Sequence, residues 1–273
     1  MPRYRLIALD LDGTAIPFEG KPRPAVVEAI RQAQAQGSLV TIATGRAPVT
    51  ARRYARQLGI TTPIICFQGG RIIDPNEGTT LFAVTLSYEL AQTVLRESAH
   101  AEASAKERWA PLVYQGDVIY LQRLWLTPEQ YREFFGDTWH TIPSFDALPV
   151  RPVDKIIFVG DPEALDALRP RLEERFGQDV EIVRSWTMFL EVTPRGATKG
   201  RALAWLAHYL GIPREQVIAV GDADNDRSMI RWAGLGVAMG NAPDEVKAAA
   251  DVIAPPVEED GVAWVIQRWV LAP

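Results

Sequence analysis

The sequence predicts an α/β protein: a parallel-sheet core whose chain is interrupted by an inserted α+β domain. Three observations carry that prediction. The first stretch of about 80 residues alternates short apolar strands with amphipathic helices, and the tail of the chain repeats the alternation. The stretch between them breaks the rhythm with a hairpin and several strands in a row. The 273 residues are also enough for about two domains.

The opening element is read from "RLIALDLDGTAI", residues 5–16. Leu6, Ile7, Ala8 and Leu9 form a continuous apolar run, the pattern of a strand covered on both faces. Asp10 and Asp12 follow two residues apart, so in extended chain both carboxylates leave on one face. Gly13 then lets the backbone turn. Asp12-Gly13 alone also fits a hairpin, a reading that leaves Asp10 unexplained. "RPAVVEAIRQAQAQG" is a helix, with Pro24 early, Val26 and Ile30 four apart and Gly37 as a stop. "SLVTIATG" is a second strand ending at Thr44, Pro48 to Gly59 a second helix, and "PIICF" a third strand. Strands and helices at this spacing make a parallel sheet with right-handed crossovers.

From about Phe82 to Arg195 the order changes. "YELAQTVLRESA" is helical, and "APLVYQGDVIYLQ" is a hairpin turning at Gly116-Asp117. "KIIFVGD", "EALDALRPRLEERFG", "VEIVR" and "TMFLEV" follow as strand, helix, strand, strand. Residues 75–80 and 193–198 are predicted linkers, dividing the chain into a core of 1–82 with 196–273 and an insert of 83–195. In the tail, a helix from about Thr198 to Gly211 carries Leu203, Leu206 and Leu210 on one face. "VIAVGD" is a strand ending at Asp222, "DRSMIRWAG" a helix, and "LGVAMG" and "DVIA" short strands around the helix "APDEVKAAA". "EDGVAWVIQRWV" is a final helix.

Composition excludes several classes of function. Hydrophobic residues at 47% and charged residues at 23% are the balance of an ordinary soluble protein. A net charge of −5 and a pI near 5.4 argue against a nucleic-acid binder, which carries a basic face. No apolar run approaches the roughly 18 residues that span a bilayer, so no membrane partner is expected. Arg3 and Arg5 precede an apolar run too short for a signal peptide. Cys66 is the single cysteine, so no intrachain disulfide forms and a cytoplasmic location is expected. It lies in an apolar run, while His100, His140 and His208 stand in unrelated contexts, so it reads as an inert core thiol. The histidines show no metal-ligand spacing.

In an open parallel sheet the ligand crevice lies outside the carboxyl ends of the strands. The residues at those ends are Asp10 and Asp12, Thr44-Gly45-Arg46, Gln68-Gly69-Gly70, and Asp222 with Asp224, Asn225 and Asp226. Up to five carboxylates are thereby expected on one edge, where like charges repel unless a cation neutralises them. Mg²⁺ suits such a site because it takes one or two carboxylates and shares a phosphate. Thr44, Arg46 and Lys199 at a helix start complete the surroundings of a phosphoryl group. Any one of these carboxylates could merely cap a turn; the whole set is not explained that way.

The chain is identified by these residues as a member of the haloacid dehalogenase superfamily. It is similar in particular to the Cof-type sugar-phosphate phosphatases with a large inserted cap. "DLDGT" (10–14) resembles the nucleophile motif and "IATGR" (42–46) the second motif. "GATKG" (196–200) resembles the lysine motif and "VGDADND" (220–226) the acidic motif; "AGLGVAMGNA" and "EDGVA" match the tail. The resemblance implies a Rossmann-like core with an α+β cap of the C2B type. It implies Asp10 as the nucleophile that becomes a phosphoaspartate, and Asp12 as the acid and base. It implies Mg²⁺ held by the Asp10 carboxylate, the Asp12 carbonyl and Asp222. Thr44 and Lys199 would bind phosphoryl oxygens, with Asn225 and Asp226 orienting Lys199 and the waters of the metal. Gly45, Arg46, Gln68 and the cap residue Trp186 would face the substrate, a small phosphorylated metabolite.

The chain departs from the pattern at Gln68, where the family often has Asn, at "DGTAIP", and at "PPVEEDGVA". Gly234 to Gly240 superficially fits a dinucleotide fingerprint, but its third glycine is one place late and no helix of the right length with an acidic partner follows. Trp109, Trp125 and Trp139 read as core of the insert, and Trp186 as the exception near the return to the core. The rivals are a phosphomutase of the same superfamily, which would need a basic second phosphate site from residues such as Arg151, Lys155 and Arg184, and a phosphoacceptor signalling module. Receiver domains of that kind are shorter and place the acidic pair, not the phosphoacceptor, on the first strand. A pure sugar-binding protein leaves Asp10 and Asp12 without a role.

Overall fold

A computed structural model describes residues 2–18, 20–102, 108–136 and 138–272. The chain forms two compact units, residues 1–82 with 198–273, and residues 83–197. Among the described residues no helix is long and apolar enough to cross a membrane.

The first unit is built on a five-stranded parallel sheet. Its strands are β1 (Leu6–Leu9), β2 (Leu39–Ile42), β12 (Val217–Gly221), β13 (Leu235–Ala238) and β14 (Val252–Ile253), in the order β14-β13-β12-β1-β2. β1 runs between β12 and β2, with Leu9 level with Val220 and Ile42. From β1 the chain builds outward through β2 on one side and through β12 to β14 on the other, so β1 and β12 straddle the switch point where such sheets bind ligands. The hairpin reading of Asp12-Gly13 fails here, because both neighbours of β1 are parallel strands distant in sequence.

Alternation along the strands divides the core in two. Ile7, Leu9, Val40, Ile42, Ile218 and Val220 pack with α1 (Pro24–Ala35), α2 (Pro48–Gln57) and α9 (Gly261–Ile266), which follows the short α8 (Asp244–Lys247). Leu6, Ala8, Val217 and Ala219 pack with α6 (Lys199–Tyr209) and α7 (Arg227–Trp232). This three-layer α/β arrangement is the predicted class.

Two expectations for this unit are corrected. The third strand, β3 (Ile64–Cys66), meets the parallel sheet through a single bridge between Ala43 and Ile65 and runs antiparallel to β4 (Arg71–Ile73). Residues 67–69 turn the chain back on itself, and β4 and β5 (Thr80–Ala83) complete a separate three-stranded sheet. Residues 75–80 are therefore a hairpin turn and not a domain linker. The Asp74 carboxylate accepts from the amides of Asn76 and Glu77 at 2.8 and 3.0 Å, an Asx turn that folds the Pro-Asn-Glu-Gly stretch. Cys66 is buried among apolar neighbours.

The second unit is a six-stranded sheet of order β10-β11-β9-β6-β7-β8. It comprises β6 (Trp109–Gln115), β7 (Val118–Leu121), β8 (Trp139–Thr141), β9 (Lys155–Gly160), β10 (Val180–Trp186) and β11 (Phe189–Pro194). The helices α3 (Tyr88–Glu102) and α5 (Pro162–Phe176) contribute to its core with Trp109, Val113, Ile156 and Phe158. α4 (Pro128–Phe135) and β8 escape the sequence reading; β8 lies parallel to β7. The basic residues that a mutase would recruit do not form one cluster. Lys155 pairs with Glu191, Arg151 bonds Gln115 and Tyr120, and Arg184 donates to the carbonyls of Pro162 and Thr187.

Candidate active site

The site forms at the carboxyl ends of β1 and β12 because the parallel register brings those ends level. The Asp10 amide donates to the Val220 carbonyl at 3.0 Å, which fixes Asp10 one step beyond the last buried strand residue. Asp222 stands in the equivalent place after β12. Asp226 arrives on the following turn and bends back: its Oδ2 accepts from the amides of Asp222 and Ala223 at 2.9 Å each. One oxygen from each of Asp10, Asp222 and Asp226 lies within 4.8 Å of the others, and all three side chains are buried. Asp224 does not join them. Its side chain is 80% exposed and pairs with Arg227, so the expectation of five converging carboxylates is reduced.

Lys199 supplies the opposing charge. Thr198 caps α6 by accepting from the Arg201 amide at 3.3 Å, which places Lys199 in the first turn of the helix. Its buried ammonium donates to Asp10 Oδ1 and to Asp226 Oδ1 at 2.6 Å each. The Gly200 amide donates to Ser228 Oγ at 3.0 Å and ties this helix start to α7. Burial drives the Lys199 ammonium toward deprotonation, but the carboxylates of Asp10 and Asp226 outweigh it and hold the group above its usual range.

One lysine does not balance three carboxylates. Burial and then the neighbouring Asp226 push the Asp10 carboxyl well above the ordinary carboxylate range, against the pull of Lys199. The same two causes push Asp222 up to about 7, against a hydrogen bond from Thr14. These are acids left short of positive charge, and all are oxygen donors. That donor set fits a hard divalent cation. Asp222 is prepared for such a ligand role: Thr14 Oγ1 donates to its Oδ1 at 2.7 Å, and Asn241 Nδ2 approaches its Oδ2 at 3.4 Å while also donating to the Gly13 carbonyl at 3.0 Å. Gly13, at φ 84°, is required in that turn, since a Cβ there would come within 2.4 Å of Asp222 Oδ2.

The remaining residues make contacts the sequence did not foresee. Asp12 is held in a bidentate pair by Arg46, Nε to Oδ2 at 2.8 Å and Nη2 to Oδ1 at 2.6 Å, with the guanidinium 5.0 Å above the Tyr54 ring. Arg46 is therefore committed to Asp12 in this arrangement. Thr44 Oγ1 accepts from the Arg46 amide at 3.1 Å, which leaves its hydroxyl hydrogen to donate elsewhere. Gly45 lies under the Gln68 side chain, and Gln68 Oε1 accepts from Asn225 Nδ2 at 2.8 Å. Trp186, in the second unit, packs on Phe134 and Phe189 with ring centroids 5.1 and 5.2 Å away. Sequence reasoning missed Thr14, Ser228 and Asn241. Thr14 and Asn241 were inside matched motifs, whereas Ser228 carried no local signal.

With this geometry the family can be tested directly. The model of the haloacid dehalogenase-like hydrolases matches residues 7–266. The chain belongs to that family. It is 30% identical over 278 residues to an HMP-PP phosphatase of Serratia proteamaculans, a match spanning 99% of this chain and 97% of the relative. A putative phosphatase of Streptococcus pyogenes is 28% identical over 98% of both chains. Among solved structures, a haloacid dehalogenase-like hydrolase from Bacteroides thetaiotaomicron superimposes with a TM-score of 0.85 at 32% identity, covering 97% of this chain and 99% of that one. A subclass IIB sugar phosphatase of the superfamily superimposes at 0.80 with 25% identity, covering 96% and 98%. This haloacid dehalogenase-like chain is a phosphatase, with the Rossmann-like core and separate cap sheet of its family.

Proposed function

We propose that this phosphatase hydrolyses small phosphorylated metabolites, sugar phosphates in particular, through a phosphoaspartate on Asp10 and with Mg²⁺. The observation that carries the reading is the buried Lys199 ammonium bridging Asp10 and Asp226 beside Asp222. Asp10, Asp222 and the Asp12 carbonyl would hold the cation, which when bound offsets phosphoryl charge at this edge. The Asp10 carboxylate attacks phosphorus, an O–P bond forms, and the ester P–O bond breaks. Asp12 delivers a proton to the departing oxygen and then takes one from water. That water attacks phosphorus, the Asp10–phosphorus bond breaks, and phosphate leaves with Asp10 restored. Lys199 and Thr44 donate to the phosphoryl oxygens, and Arg46, which here bonds both oxygens of Asp12, releases one of them for the proton that Asp12 carries and orients it through the other. Splitting one displacement into two lowers each barrier, and Asp12 contributes about 10²–10⁴-fold as acid and base. The inserted unit serves as the cap that selects the leaving group, with Trp186 among its selecting residues.

Trapping tests the assignment. Asp10→Asn is expected to abolish turnover and form no phosphoenzyme. Asp12→Ala is expected to accept the phosphoryl group of a substrate with a good leaving group and then stall, so that intact-mass measurement finds one added phosphate on Asp10. Phosphate trapped in the Asp10 variant and not in the Asp12 variant would reverse the two roles. Free phosphate from a hexose phosphate, without a bisphosphate activator, separates hydrolysis from mutase activity.

A further inference from the structure

Phe67, Gln68 and Gly69 all lie in the left-handed region, at φ 52°, 59° and 101°. Two of the three carry a Cβ, for which that backbone is unfavourable. Such strain persists only where the surroundings over-determine it, and it concentrates at functional sites. The surroundings here are the other catalytic loops. The amides of Phe67 and Gln68 donate to the carbonyls of Arg46 and Thr44 at 3.1 Å each. A Cβ on Gly69 would come within 2.3 Å of the Thr198 carbonyl, so the turn is wedged against the start of the Lys199 helix. The Gln68 side chain is 3% exposed and lies so close over Gly45 that a Cβ there would be 2.4 Å from Nε2.

The turn directs the Gln68 amide at Asn225. Gln68 Oε1 accepts from Asn225 Nδ2 at 2.8 Å, which commits one end of the Asn225 side chain. The other end is the unusual one. Asn225 Oδ1 is buried and has no hydrogen-bond partner in the chain. An acceptor shut away from solvent without a donor is costly, so such a group calls for a partner from outside the chain. Swinging Oδ1 out to bulk water would cost the bond that Nδ2 makes to Gln68. The side chains supplied by the same loop, Asp222 and Asp226, are acceptors themselves. A water molecule is the donor that fits, and a cation held by carboxylates keeps several waters of its own.

We infer that Gln68 is a positioning residue and not a substrate contact: it holds the Asn225 amide so that Oδ1 accepts from a water of the bound cation. The inference rests on the divalent-cation reading of the acidic cluster. It also gives the strained turn a purpose, since its left-handed course between Arg46 and Thr198 brings the amide to Asn225.

Mn²⁺ binding without substrate, followed by electron paramagnetic resonance titration, tests it in the full chain. Four variants are compared with the wild type: Gln68→Met, Asn225→Ala, the double variant, and Gly45→Ala. Methionine keeps the length of Gln68 and removes its acceptor. Gln68→Met is expected to raise the Mn²⁺ Kd about tenfold or more, the usual scale for losing an outer-shell partner. Asn225→Ala should cost at least as much, and the double variant no more than Asn225→Ala alone, because Gln68 acts through Asn225. Gly45→Ala pushes the Gln68 amide away from the other side and should reproduce the loss; it decides the matter if Gln68→Met fails to fold. An unchanged Kd in folded Gln68→Met, an unchanged Kd in Gly45→Ala, or losses that multiply in the double variant would overturn the inference. A wild type that binds no Mn²⁺ overturns the cation reading and this inference with it.

Discussion

Among the described residues two lysines are buried, and they are paired differently. Lys155 in the inserted unit meets Glu191 on the neighbouring strand at 2.8 Å and lies over the Tyr114 ring, with both side chains of the pair about as hidden as core residues. Lys199 in the core unit bridges two carboxylates and stands beside a third. In the first, a carboxylate and an ammonium are in direct contact. The second leaves an excess of buried negative charge, and burial, then the neighbouring Asp226, hold the Asp10 and Asp222 carboxyls above their ordinary range. Buried charge alone is therefore a poor guide to function; it is at the imbalance that the proposed reading puts an ion and a phosphoryl group.

Removing each lysine should break this comparison most strongly. Lys199→Met is expected to lower turnover by about 10²–10³-fold or more, since a preorganised donor to the reacting group is lost. Steady-state kinetics with an aryl phosphate measures it, and a loss below tenfold would return Lys199 to a structural role. Lys155→Met is expected to cost about 3–5 kcal/mol of stability by stranding Glu191, whereas Lys155→Met with Glu191→Leu should be near neutral. Urea unfolding of the single and double variants reads this difference. A double variant as unstable as the single would show that the pair is not self-contained.

The imbalance also has a pH signature. Asp222 binds its proton more tightly in the folded chain, about 7 against an ordinary 3.8. Between those values the folded state carries more protons than the unfolded one, so this group makes stability fall as pH rises through that window. On the proposed reading a divalent cation replaces the proton, so the Tm gain on adding Mg²⁺ should grow from pH 5 to pH 8. A gain independent of pH would separate the cation from Asp222. The smallest effect is expected at Trp186. Trp186→Ala should shift the ranking of sugar phosphates by about tenfold while sparing a small aryl phosphate. Equal losses on every substrate would make Trp186 packing for Phe134 and Phe189 only.

Much of the core was legible because its signals are local. A four-residue apolar run followed by aspartate specifies both a buried strand and the group at its end, and Leu6–Leu9 and Val217–Gly221 are such runs. The misses have specific causes. α4 was announced by Thr127-Pro128-Glu129-Gln130, a capping box in which Thr127 Oγ1 accepts from the Gln130 amide and Gln130 Oε1 accepts from the Thr127 amide. β4 and β5 were hidden because Arg71–Ile73 and Thr80–Ala83 are short and flank a turn that reads as a linker. Asn241 sits in a matched tail motif, yet its bonds to Gly13, Asp222 and Val257 join three loops that no local pattern connects.

By itself, then, the chain's order of residues determined the α/β class, the strand ends that carry Asp10, Thr44 and Asp222, and the helix start that carries Lys199. These follow from hydrophobic periodicity and from caps and turns acting over a few residues. The tertiary structure alone decided which charges meet. It brought Asp226 back onto Lys199 and left Asp224 in solvent, although the two are neighbours in one turn. It paired Arg46 with Asp12, and Gln68 with Asn225 across 157 positions. The reason is physical: periodicity fixes the face a side chain leaves from, while distances between loops depend on the strand order that sets them side by side. Buried charges respond to those distances steeply.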